Sequence, residues 1–249
     1  MYRIDLKKNI SGLQLKEKRE MIPTAWGPLF WKLLHFNYST ADQAAAELTD
    51  SKQSYIISDL HQLLIDQLDI VQWLLPCRMC RKHFTQFLLQ HDPQPILQSL
   101  SEPSQRDNKE PGPAAVLMFS MHNWVNKDLG KPLWTKAQLK RSLPYSPPTA
   151  KEMDTLLKCI LSDDICNPSS DQAQIQRQMY AYQQWSQFPV GQAGQFIVEE
   201  DNPHTCIAPF QVQRFIGNLQ SLYSLYAQIL PKYERPLKSV LTVLKQYQK

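Results

Sequence analysis

The sequence predicts an all-α protein. Apolar residues recur at spacings near 3.6 over most of the chain, and no segment shows the apolar–polar alternation of a half-buried strand. Helix stop signals, such as Gly130 followed by Pro132, punctuate the pattern.

The polar segment 1–20 reads as a mobile arm. A first helix runs from Trp26 to about Leu48, with Leu29, Leu33 and Phe36 on one face and Ala41 and Ala44–Ala46 continuing it. A second runs from Tyr55 to Leu75, where Ile56, Leu60, Leu63, Leu64, Leu68, Val71 and Leu75 form a broad apolar face. Pro76 suits the first turn of a third helix, Cys77 to about Gln90. His91 to Pro113 is rich in proline, serine and charge and reads as a loop, with a helical turn around Ile96–Leu100. A fourth helix spans Ala114–Leu129, and a short fifth covers Lys136–Ser142.

Pro144, Pro147 and Pro148 mark a boundary near Ser146. It divides a first domain, 21–147, from a C-terminal helical domain, 148–249. Helices are expected there over Lys151–Leu161, Asp171–Phe188, Pro209–Leu230 and Lys232–Gln246, with a short extended piece between Val190 and Ile207. Tyr180, Trp185, Phe215, Tyr223 and Tyr226 fall at helical spacing and read as core or interface.

Composition narrows the function. The net charge of +4 is not concentrated, and the densest run, Lys16-Glu17-Lys18-Arg19-Glu20, mixes signs, so nucleic-acid and membrane partners are not expected. No segment reaches the ~18 apolar residues of a membrane span, and the N-terminus lacks the apolar stretch of a signal peptide. A cytoplasmic setting is the expectation. With seven glycines and neither GxGxxG nor GxxxxGK[ST], a Rossmann or P-loop site is ruled against. Any nucleotide cofactor must be held by helices and side chains.

Three clusters carry chemistry. Cys77-Arg78-Met79-Cys80 opens a helix, where two cysteines three apart close a small disulfide ring. The partial positive charge of a helix start, with Arg78, Arg81 and Lys82, favours thiolate over thiol, so the pair is expected to be redox-reactive. Taken alone, CxxC also reads as a zinc half-site or a chance spacing, but zinc needs four ligands and no second CxxC is present. The second cluster lies in Trp26-Gly27-Pro28-Leu29-Phe30-Trp31-Lys32-Leu33-Leu34-His35. Trp31 and His35 share one helix face there and suit stacking on a planar ring, or else form ordinary core. The third is His122-Asn123-Trp124-Val125-Asn126, followed by Leu129-Gly130-Lys131-Pro132. His122 and Asn126 share a face, and polar groups on so apolar a helix need partners, whether a ligand or a network between helices. Lys131 is placed to meet a phosphate.

Together, W-x3-H, then PCxxC, then HNxVNxxLGKP resemble the Erv/ALR family of FAD-linked sulfhydryl oxidases over about Ile22–Trp134. The opening WGPLFWKLLH is similar to that of viral members. The resemblance implies a four-helix bundle with a short fifth helix and FAD at its mouth. Gly27, Trp31, His35, His122, Asn123, Asn126 and Lys131 would bind the cofactor. Cys77 would be the outer sulfur that takes the substrate and Cys80 the inner sulfur that reduces the flavin, with O2 the final acceptor and H2O2 the product. Protein thiols are the implied substrates, a homodimer the implied assembly, and host cytoplasm or virion the implied setting.

The chain departs from the family at Pro28, where many members carry an arginine, and at Phe119 and Lys136, where many place a second disulfide. That corner is expected to be held by packing instead. Tyr145 is the candidate for a missing adenine-covering tryptophan. No cysteine precedes Cys77, and Cys159 and Cys166 would be about 10.5 Å apart in one unbroken helix, beyond the ~7 Å a disulfide spans. They pair only if the chain bends at Ser162-Asp163-Asp164; otherwise they are buried thiols. Cys206 receives no role. His83, one turn beyond Cys80, could tune proton traffic or be a plain polar helix residue. A thioredoxin-like exchange enzyme would require strands beside CxxC, and a non-catalytic, zinc-stabilised or purely helical scaffold or adaptor is the remaining alternative.

Overall fold

The computed structural model describes residues 23–48, 54–101, 110–162, 165, 169–184 and 206–248. The predicted arm 1–20, part of the proline-rich loop, Asp163, Asp164, Cys166 and most of the expected extended piece lie outside these residues. The described residues form ten α-helices and no sheet. In chain order they are α1 (Pro23–Glu47), α2 (Ser54–Leu74), α3 (Arg78–Gln90), α4 (Gln94–Gln98), α5 (Pro113–Asp128), α6 (Lys136–Ser142), α7 (Ala150–Ser162), α8 (Gln172–Gln184), α9 (Pro209–Ile229) and α10 (Glu234–Tyr247). Two 3₁₀ turns, Ser99–Ser101 and Pro231–Tyr233, follow α4 and precede α10. A lone parallel bridge joins Ile165 and Ile207.

Local chemistry sets the helix ends. Pro76 stands outside α3, because Cys77 is extended (φ −157°) and caps the helix through its own sulfur. The first helical residue is therefore Arg78, not Cys77 or Pro76. Asp42, projecting from α1, takes the first N–H groups of α5: Ala114 N–H donates to Oδ1 at 3.1 Å and Ala115 N–H to Oδ2 at 2.8 Å. Gly112 leaves room for that carboxylate, since a Cβ there would lie 2.2 Å from Asp42 Cγ. At the other end of α5, Gly130 takes φ +63°. Lys131 N–H donates to Asn126 O at 2.7 Å and Gly130 N–H to Lys127 O at 3.1 Å, the paired bonds of a left-handed helix stop. Thr135 and Gln138 cap α6 reciprocally.

Helices α1 and α5 pack side by side, α2 carries α3 and α9, α7 packs on α1, and α10 packs against α7 and α9. The buried apolar residues form one continuous core from Trp26 to Leu244 that includes Phe36, Leu64, Met118, Phe215 and Leu237. Helices α7, α9 and α10 are thus packed into the same interior as the first bundle.

A polar seam accompanies the apolar one. Arg214 on α9 donates to Asp69 on α2 at 3.0 Å, and Gln72 donates to the same carboxylate at 2.9 Å. Asn218 donates to Leu63 O at 2.8 Å. Tyr38 donates to Leu64 O at 2.8 Å, and Tyr226 to Asn37 O. Near the surface Lys32 pairs with Glu152 at 2.7 Å, joining α1 to the first turn of α7.

The cysteines outside α3 differ from expectation. Cys159 is a buried thiol, and Cys166, its candidate partner, lies outside the described residues. Cys206, for which no role is expected from sequence, is disulfide-bonded. Its backbone is gripped by Gln178, which donates to Cys206 O at 2.7 Å and accepts from Ala208 N–H at 3.1 Å. A buried amide on α8 that meets both groups of one extended segment is a feature helical periodicity does not encode.

Candidate functional site

Cys77 and Cys80 are disulfide-bonded, with Cα atoms 5.1 Å apart. The ring sits across the start of α3, and Cys80 N–H donates to Cys77 Sγ at 3.2 Å. The sulfur of Cys77 therefore occupies the capping position, where helix N–H groups stabilise negative charge. Arg81 is buried and turns back to donate to Leu75 O at 2.7 Å, so it fixes the extended entry to the ring rather than reaching outward.

The second half of the site lies between α1 and α5. Trp31 stacks on His122, with ring centroids 4.0 Å apart and planes 7° from parallel. His35, one turn after Trp31, is buried, and its Nε2 lies 2.9 Å from His122 Nδ1. Tyr145 lies parallel to His35 at 4.8 Å, and Trp134 lies parallel to it at 5.7 Å. Ser142 Oγ donates to the Tyr145 hydroxyl at 2.9 Å. Five rings from α1, α5 and the segment around α6 thus meet in one group.

Electrostatics keep the imidazoles neutral. Burial, and then His122, lowers His35 to about 3; burial, and then Lys131, lowers His122 to about 4. Two neutral rings facing nitrogen to nitrogen share one proton: one donates and the other accepts. Either way His35 Nδ1 is left over. It is buried and has no hydrogen-bond partner among the described residues. An orphan of that kind costs about 1–3 kcal/mol unless something bound supplies the partner.

Each predicted binding residue has a definite place. Trp31, His35, His122 and Tyr145 are brought together. Asn126 is buried on α5, one helical turn after His122. Lys131 is exposed at the end of α5, close enough to depress His122. Among the described residues, a Cβ at Gly27 would meet nothing within 4 Å beyond its own chain neighbours and helix backbone. Asn123 is engaged elsewhere. Its amide donates to Trp134 O at 2.9 Å and accepts from Trp134 N–H at 2.8 Å. This clamp ties Trp134 to α5 beside Lys136, at the corner expected from sequence to be held by packing. It also delivers Trp134 to the ring cluster. Trp134 was missed as a site residue, although an aromatic two residues after LGKP was the available signal.

The geometry suits a large planar ligand with polar edges: parallel aromatic rings, neutral imidazoles and an unmet buried nitrogen. FAD fits that chemistry, and His35, His122, Trp31, Trp134 and Tyr145 are the groups that would hold it. Among the described residues no three His, Cys, Asp or Glu side chains converge as metal ligands would. No described helix is long and apolar enough to cross a membrane.

Comparison with curated proteins and with solved structures returns no match. Residues 28–144 match the Erv1 / Alr family. The matched segment contains α2 to α6 and most of α1, and with them the disulfide and most of the ring cluster. Residues 28–144, just under half of the chain, are thus an Erv1 / Alr family segment.

Proposed function

We propose that this protein is an FAD-linked thiol oxidase that makes disulfides in protein substrates, with O2 as electron acceptor and H2O2 as product. The observation that supports it most is the Cys77–Cys80 disulfide at the start of a helix that packs on α5, the helix carrying His122. The match of residues 28–144 to a family of FAD-linked sulfhydryl oxidases supports the cofactor.

The chain's own residues divide the work. A substrate thiolate attacks Cys77, forms a mixed disulfide and displaces Cys80 as a thiolate. The second substrate thiol then attacks the substrate sulfur of that mixed disulfide. Cys77 leaves into the capping position, where the Cys80 N–H stabilises it. The substrate is now oxidised by two electrons, and Cys77 and Cys80 are reduced. FAD, when bound, supplies the acceptor for those two electrons and the route to O2. Trp31, Trp134 and Tyr145 would hold its planar parts, and His35 Nδ1 would gain its missing partner. With one nitrogen of each neutral ring used in the His35–His122 contact, the pair offers one donor and one acceptor outward.

The test is direct. The purified chain should be yellow with a flavin spectrum and should consume oxygen in the presence of dithiothreitol. Cys80→Ser should abolish that consumption while flavin stays bound. A colourless preparation, or full turnover by Cys80→Ser, overturns the proposal. A colourless protein that binds zinc would favour the scaffold reading.

A further inference from the structure

The capping position serves only one of the two sulfurs. Cys77 receives the helix N–H, whereas Cys80 is the third residue of α3. One turn on, at i+3, is His83, and side chains three apart on a helix are neighbours with Cβ atoms about 5–6 Å apart. His83 is not loose on the surface. Its Nδ1 lies 2.9 Å from Asp128 Oδ2, at the last turn of α5. Its ring meets Trp124 edge-on at 6.2 Å, and Trp124 in turn packs on Phe87. A carboxylate on Nδ1 fixes the tautomer with the proton on that nitrogen, which leaves Nε2 with a free lone pair.

The thiol-oxidase cycle needs such a group. Cys80 leaves as a thiolate and must be one again when the disulfide re-forms, so a proton it picks up in between needs an acceptor, which none of the residues assigned so far provides. We propose that His83, held in orientation by Asp128, is the proton acceptor for Cys80. This rests on the thiol-oxidase reading. In the step, the S–H bond of Cys80 breaks and an N–H bond forms at His83 Nε2. The result is a thiolate beside an imidazolium whose charge Asp128 balances, and no electrons change hands. The proton leaves to solvent from His83 later, since the ring is part-exposed.

The surrounding charges do not offer a substitute. On α3 itself, Arg81 is committed to Leu75 O, Lys82 is half-exposed, and His91 stacks on Phe87 two turns away from His83. From α5, Lys127 is exposed beside Asp128. From α2, Asp69 is paired with Arg214, Asp66 accepts from Gln62, and His61 lies toward Gln94.

The test reads thiol ionisation, not turnover. The full-length protein is reduced with dithiothreitol, desalted without oxygen and alkylated with iodoacetamide across a pH series. Cys77 and Cys80 are quantified separately by peptide mass spectrometry. In His83→Asn, alkylation of Cys80 at about pH 7 should slow about tenfold, the effect of a one-unit rise in a thiol's pKa, and should regain the wild-type rate above about pH 9. Cys77 should be unaffected at every pH, and Asp128→Asn should reproduce a smaller part of the effect. Unchanged Cys80 kinetics, an equal loss at both sulfurs, or a loss that persists at high pH would each overturn the proposal. Because neither oxygen nor flavin enters the assay, the expected slowing of Cys80 in His83→Asn, found for a protein whose wild type lacks turnover, would count against the oxidase reading alone.

Discussion

The buried His35–His122 pair makes the stability of the cofactor-free protein depend on pH in a way that can be worked out. An unfolded histidine titrates near 6.5, while burial holds His35 at about 3 in the folded chain. Between those values the unfolded chain binds the extra proton, so stability is fully present above about pH 6.5 and is lost as the pH falls. At 1.36 kcal/mol per unit, the shift to about 3 is worth about 5 kcal/mol in all, of which about 3 kcal/mol is lost by about pH 4.5. His122, lowered to about 4 but more open to solvent, adds to this with a contribution that must be discounted for screening. The perturbation is His35→Phe, which keeps an aromatic ring against Tyr145 and Trp134 and removes the titrating group. The assay is urea unfolding followed by circular dichroism at about pH 7.5 and about pH 4.5 on flavin-free protein. The variant is less stable at neutral pH because His122 Nδ1 loses its partner. Its loss between the two pH values, however, should be smaller than the wild-type loss by about 3 kcal/mol. Equal losses in the two proteins would mean that His35 is charged or solvated in the folded state, and the reasoning would fail.

Two further perturbations address the frame. Gly112→Ala sets a methyl 2.2 Å from Asp42 Cγ and forces the carboxylate off Ala114 and Ala115, so α5 should lose its cap. The expected cost is about 1–2 kcal/mol, or a fall in Tm of roughly 2–8 °C, and an unchanged Tm would refute the tight fit. Arg214→Met leaves Asp69 buried without its cation and should cost about 3–5 kcal/mol in urea unfolding. Adding Asp69→Leu to that variant should recover much of the loss; no recovery would show that the pair is not coupled.

The helices were legible because helix periodicity and capping are local. The short fifth helix falls on Lys136–Ser142 as expected, and the stop at Gly130 is a real left-handed turn. The reactive pair was legible too, since Cys77 and Cys80 are three residues apart and need only one helix start to meet. The aromatic cluster was half legible: Trp31 and His35 share a face by spacing alone. That they meet His122, Trp134 and Tyr145 depends on how α1 crosses α5. Asn123 reads in sequence like its neighbours His122 and Asn126, yet its amide is consumed by the backbone of Trp134.

By itself the sequence determined the helix pattern, the dithiol at a helix start, and the shared face of Trp31 and His35, because each depends on spacings of a few residues. Tertiary structure alone decided that Asp128 orients His83 and that Asp42 caps α5. It also decided that α7, α9 and α10 share the core of the first bundle through contacts such as Arg214–Asp69. Those pairings join residues tens to more than a hundred positions apart. Which side chains face each other across packed helices follows from burying all the apolar faces at once, and no local window of sequence records that outcome.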